Sequence, residues 1–147
     1  MAAAPLLFFL ASLAFNIVVH YLLRIMRRLR IGIDSLLFCA IMTGYLAGPL
    51  KGLAYGAAIA VLFFFFSRRW EHALVVMPLN GMAGVAAGAL NTLPFFTAAA
   101  IVVAAYHVLS VLLITYALKQ LGPGYALFVV VNIATTYALL MLAQPFL

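Results

Sequence analysis

The sequence predicts an all-α integral membrane protein, folded as a compact bundle of six transmembrane helices. Hydrophobic residues fill 69% of its 147 positions, charged residues only 7%, and the mean hydropathy is +1.28. A water-soluble domain devotes roughly a quarter of its residues to charge. Eight basic and two acidic side chains cannot furnish an aqueous surface, so most of this surface must face lipid. The apolar text is also divided into six runs, each within the roughly 17–25 residues that span a bilayer.

The first run extends from Pro5 to Leu23. It lacks the basic residues that precede the apolar stretch of a signal peptide and is followed by arginines instead, which predicts a retained first span. The second covers Ile31 to Gly48, and the Gly48-Pro49 breaker separates it from the third, Leu50 to Ser67. These two could instead form a re-entrant hairpin. The fourth run, Ala73 to Leu90, closes at Asn91-Thr92-Leu93-Pro94. The fifth is Phe95 to Leu118, and the last, Tyr125 to Leu147, follows Leu121-Gly122-Pro123-Gly124. The whole chain thus reads as one transmembrane domain with no soluble one.

The net charge of +6 does not read as a nucleic-acid surface, because the basic residues sit between apolar runs rather than on an aromatic-studded face. Arg24, Arg27, Arg28 and Arg30 form one cluster and Arg68 and Arg69 another. Seven basic residues fall after the first, third and fifth spans, against Lys51 alone on the other side. The positive-inside rule then puts the Arg24–Arg30 and Arg68–Arg69 loops in the cytoplasm and both termini outside the cell membrane. Trp70 beside them suits an interfacial anchor, and the Phe63 to Phe66 run suggests a lipid-facing or interfacial helix end.

Gly44, Gly48, Gly52, Gly56 and Ala60 recur every fourth residue, as do Gly84 and Gly88. Small residues at that spacing let helix backbones approach closely, so the third and fourth helices are expected to pack tightly, within the bundle or against a partner.

Polar residues inside apolar spans are costly and point to function. Asn16, Asn80, His107 and Asn132 fall near the middle of four different helices and could converge on one mid-membrane cavity for a small polar solute; they could equally be interhelical glue. Asn16, His20, Arg24 and Arg28 form one stripe on the first helix. Thr135 and Thr136 are expected to bond their own helix. His20 and His107 would permit a haem reading, but their different depths disfavour it.

Catalysis has little to stand on. Asp34 and Glu71 are the only carboxylates, and neither accompanies a nucleophile motif or metal-ligand spacing. The lone Cys39 allows no intrachain disulfide. No enzyme activity, cofactor or metal is expected.

The stretch from Asp34 through Gly44, Gly48-Pro49-Leu50-Lys51-Gly52 and Gly56 to Val61 resembles the second and third helices of substrate-binding S components of energy-coupling factor vitamin transporters, and Pro78-Leu-Asn80-Gly-Met-Ala-Gly84-Val-Ala-Ala-Gly88 looks similar to their fourth. The resemblance implies an S-component-like six-helix fold that captures a small solute for a coupling subunit and ATPases. It would put Arg30, Asp34, Glu71, His72, Lys119 and Tyr125 on the substrate side, above Asn80, His107 and Asn132. Such components keep both termini in the cytoplasm, the reverse of what the arginines predict, and space small residues four apart on the first helix, where this chain has Ala11 and Ala14. The bacterial rod-shape membrane subunit MreD looks like the same architecture without transport. It supports the alternative of a non-catalytic scaffold subunit within a larger membrane complex.

Overall fold

The computed structural model describes residues 3–25, 33–67, 70–118 and 123–146. The expectations for Arg27, Arg28, Arg30, Arg68, Arg69, Lys119 and the Leu121-Gly122 breaker lie outside the described residues, as do the side chains of Arg24, Trp70 and Glu71.

Among the described residues there are six α-helices: α1 (Ala3–Ile25), α2 (Leu36–Ala47), α3 (Pro49–Ser67), α4 (Trp70–Ala89), α5 (Phe95–Leu113) and α6 (Pro123–Ala143). A π-helical turn, Ile114–Leu118, prolongs α5, and a 3-10 turn, Gln144–Phe146, follows α6. Every helix but α2 is long and apolar enough to cross a membrane. Their exposed surface is hydrophobic, with Leu7, Leu74, Tyr116 and Leu142 all between 60% and 81% exposed. Five such helices suggest a multi-pass membrane protein.

The expected second span is shorter than its apolar run. α2 begins at Leu36 rather than Ile31 and has 12 residues, about 18 Å of helix, against a hydrocarbon core about 30 Å thick. It is also the centre of the bundle. α2 touches each of the other five helices, and every residue from Leu36 to Gly44 is buried. A helix apolar all round belongs in such a place.

α2 ends at Gly48, whose φ of 90° and ψ of 170° lie in a region open essentially to glycine. Pro49 then opens α3, where its fixed φ suits a first helical position and its missing N–H costs nothing. The turn is therefore a single residue, and α3 folds back directly against α2.

The glycine repeat packs these helices within the chain. A Cβ on Gly44 would strike the carbonyl oxygen of Gly84, one on Gly84 the backbone of Gly52, and one on Gly56 would lie 2.6 Å from the Asn80 carbonyl oxygen. Gly88 abuts Gly48 and Pro49 in the same way. Backbone thus meets backbone along α2, α3 and α4, the densest part of the bundle.

The phenylalanine run is split by this packing. Phe65 and Phe66 are exposed as expected, whereas Phe64 is buried with Leu36, Cys39, Ile59, Ala73 and Val76. A helix carries successive residues about 100° apart, so four in a row cannot all face lipid.

α1 and α6 are attached by narrow seams. On α1 the buried residues Phe8, Ser12 and Asn16 are four apart, and on α6 Asn132, Thr136 and Leu140 repeat that spacing. Both seams face α2, and both are partly polar.

Candidate functional site

The two residues before α2, Asp34 and Ser35, bond to two other helices, α1 and α6, and reach α5 through Asn132. Ser35 donates its backbone N–H to Asn16 Oδ1 at 2.9 Å and its hydroxyl to the Ser12 carbonyl at 3.1 Å. These bonds fasten the start of α2 to α1. Asn16 lies nine residues before the end of α1, about 13–14 Å along its axis, so α2 starts level with the middle of α1 rather than at its end.

Asp34 faces the other way. Its Oδ1 accepts the Leu36 N–H at 3.2 Å, the first turn of α2, and its Oδ2 accepts Asn132 Nδ2 at 2.9 Å. A carboxylate at a helix N-terminus is favoured by the partial positive charge there. Asn132 Oδ1 is in turn 3.1 Å from His107 Nε2, and His107 Nδ1 is 2.8 Å from the Val103 carbonyl one turn back on α5. All three side chains are buried. One turn along α5, Ser110 shares a hydrogen bond of 3.1 Å with Tyr125 of α6.

The result is a continuous polar path through the bundle, from Ser12 and Asn16 on α1, through Ser35 and Asp34, to Asn132 on α6 and His107 on α5. Asn16 Nδ2 is buried and makes no hydrogen bond. A buried amide donor without an acceptor costs about 1–3 kcal/mol.

Four of the five residues expected to bind a ligand, Asn16, Asp34, His107 and Asn132, belong to this path. Asn80 does not join them. It is fully buried on α4, but its Nδ2 donates to the Gly56 carbonyl at 3.4 Å and so ties α4 to α3. The expected convergence of four mid-helix polar groups therefore becomes three plus a carboxylate.

Ser12 and Ser35 were not singled out by the sequence. Ser12 extends the Asn16–His20 stripe by one turn at the same spacing, which is the signal that could have found it. Thr136 is buried, and its hydroxyl does not bond its own helix as expected; Thr43 and Thr115 do, to the Cys39 and Val111 carbonyls. His20 is half-buried and meets Phe63 edge-on, beside a shallow pocket of about 100 Å³ with Ile17, Tyr21 and Phe66. Its surroundings are unrelated to those of His107. Among the described residues no three His, Cys, Asp or Glu side chains are grouped to hold a metal ion.

No family model, curated protein or solved structure matches the chain.

Proposed function

We propose that this chain is a multi-pass membrane subunit that binds and translocates a small polar solute without ATPase activity of its own, with the start of α2 as its binding point. The observation that carries this reading is the half-length α2. With α1 spanning the bilayer, the Asp34-Ser35 backbone lies near mid-membrane, where irregular backbone is tolerated only when protein or a polar cavity surrounds it. Interrupted helices whose ends meet polar side chains at the midplane are how membrane transporters build solute sites. Asp34, Asn16 with its unused amide donor, Asn132 and His107 supply acceptors and donors at that level. The resemblance to S components agrees with the reading, and a coupling subunit with ATPases would then supply the energy.

The rival reading is a scaffold subunit of a larger membrane complex. It is favoured by the mutual bonding of Asp34, Asn132 and His107, which serves as interhelical glue with no solute at all.

Thermal unfolding of the purified full chain against a panel of small metabolites separates the two. A bound solute at a hundred times its dissociation constant stabilises by about 2.7 kcal/mol, so a true ligand raises the midpoint measurably, and Asp34→Asn should abolish that rise. Stability unmoved across the panel, with a stoichiometric membrane partner co-purifying, would instead establish the scaffold.

A further inference from the structure

The hydrogen-bond chemistry of His107, Asn132 and Asp34 constrains how many protons they hold together. The Val103 carbonyl can only accept, so His107 Nδ1, 2.8 Å away, must carry a hydrogen. If the ring is neutral, Nε2 is then an acceptor and needs the NH2 end of Asn132. An ionised Asp34, which only accepts, needs that same NH2 end at the opposite side of the amide. One amide cannot turn its nitrogen toward both. A neutral imidazole beside an ionised carboxylate therefore leaves two acceptors facing each other, either Asn132 Oδ1 against His107 Nε2 or Asn132 Oδ1 against Asp34 Oδ2.

Adding one proton removes the conflict in either of two ways. With the amide oriented as described above, the proton sits on His107 Nε2, which donates to Asn132 Oδ1 while Nδ2 donates to the Asp34 carboxylate. With the amide turned by half a revolution, which exchanges its oxygen and nitrogen ends in nearly the same space, the proton sits on Asp34, which donates to Asn132 Oδ1 while Nδ2 donates to a neutral His107 Nε2. The proton count is the same in both, and both are electrically neutral as a unit, as a low-dielectric interior requires.

We infer that His107, Asn132 and Asp34 form a single proton-binding site inside the bundle, and that release of this proton loosens α2 from α5 and α6. The inference stands on the hydrogen-bond geometry and holds whether or not the chain carries a solute. Among the described residues, the other titratable groups facing the site are the phenols of Tyr106 on α5, near Asp34, and Tyr125 on α6, which ordinarily titrate near about 10. α2 adds the thiol of Cys39, one turn after Ser35. α1 presents Ser12 and Asn16, neither of which titrates.

Above about pH 6.5, the ordinary value for histidine, the unfolded chain holds no proton on either group, whereas the hydrogen bonds of the folded network need one. Above that pH the folded state binds one proton more than the unfolded state, so stability falls as pH rises. Equilibrium unfolding of the purified full chain, in a variant carrying His20→Gln and His72→Gln, should lose about tenfold in folding constant per pH unit from about pH 7 until the network itself deprotonates. Asp34→Asn should abolish that slope and still fold: the amide replacing the carboxylate can donate to a reversed Asn132, which donates to neutral His107, with no proton required. His107→Gln should abolish it likewise. A parent with no slope, or a slope that survives both substitutions, would overturn the inference. Should the variants not fold, nitrogen-15 magnetic resonance of His107 and the infrared carboxyl band of Asp34 in the unsubstituted chain decide the matter. A doubly protonated ring or a protonated Asp34 supports the site; a neutral ring beside an ionised Asp34 refutes it.

Discussion

Asn132 and Asn80 are both buried amides on long apolar helices, yet they carry different loads. Asn80 makes one bond of 3.4 Å to a backbone carbonyl, in a helix already held by glycine contacts. Asn132 joins a carboxylate to an imidazole, on a helix whose seam is narrow. Asn80→Ala should cost about 0.6 kcal/mol, the average for an interhelical bond in a membrane protein. Asn132→Ala strands Asp34 Oδ2 and His107 Nε2 together and should cost about 1–3 kcal/mol. Equilibrium unfolding in detergent measures both, and equal losses would show that the network adds nothing beyond ordinary glue. Each of the mid-helix polar residues was visible in the sequence because polar groups are rare in apolar runs. Their partners were not, since a hydrogen bond between residues 34 and 132 depends on how α2 and α6 are brought together.

At the scale of elements, the glycines divide into those that fill a contact and those that do not. A Cβ at Gly84 would meet the Gly52 backbone, which cannot rotate away, while nothing lies within 4 Å of one at Gly124. Gly84→Ala should destabilise by about 1–3 kcal/mol or more through overpacking. Gly124→Ala, in the first turn of α6 and without positive φ, should be neutral or stabilise by up to about 1 kcal/mol, because alanine loses less backbone freedom on forming a helix. Thermal unfolding of the two variants checks the contrast. The four-residue glycine spacing was legible as close packing; which helix supplied the opposing backbone was not. The sequence also overstated α2. Residues 31–35 are mostly apolar and extend the run, but at Asp34 and Ser35 the chain bonds sideways to α1 and α6, and those bonds displace the start of the helix to Leu36.

Across the whole molecule, the basic residues and the helix order predict one orientation. α3 to α6 follow one another across short connections, which sets neighbouring helices antiparallel, and α2 ends directly at the turn into α3, which bears Lys51 in its first turn. Arg28 should therefore be cytoplasmic and Lys51 outside. In a Cys39→Ala background, cysteines introduced singly at positions 28 and 51 should react with an impermeant thiol reagent in whole cells at 51 only. Labelling at 28 alone would reverse the orientation and strengthen the resemblance to S components, which keep both termini inside.

The sequence by itself determined that the chain is helical with apolar runs of spanning length, because hydropathy is a property of each run's own residues and breakers such as Gly48-Pro49 end helices through local backbone chemistry. It also determined which residues would be costly to bury and which would let backbones touch, because both are properties of single side chains. Only the tertiary structure decided that the second apolar run is a half-length central helix, that Asn80 stands apart, and that Asp34, Asn132 and His107 share one hydrogen-bonded path. Those outcomes depend on the relative rotation and depth of packed helices. The bundle fixes these through contacts between residues as many as 98 positions apart, and no local pattern encodes them.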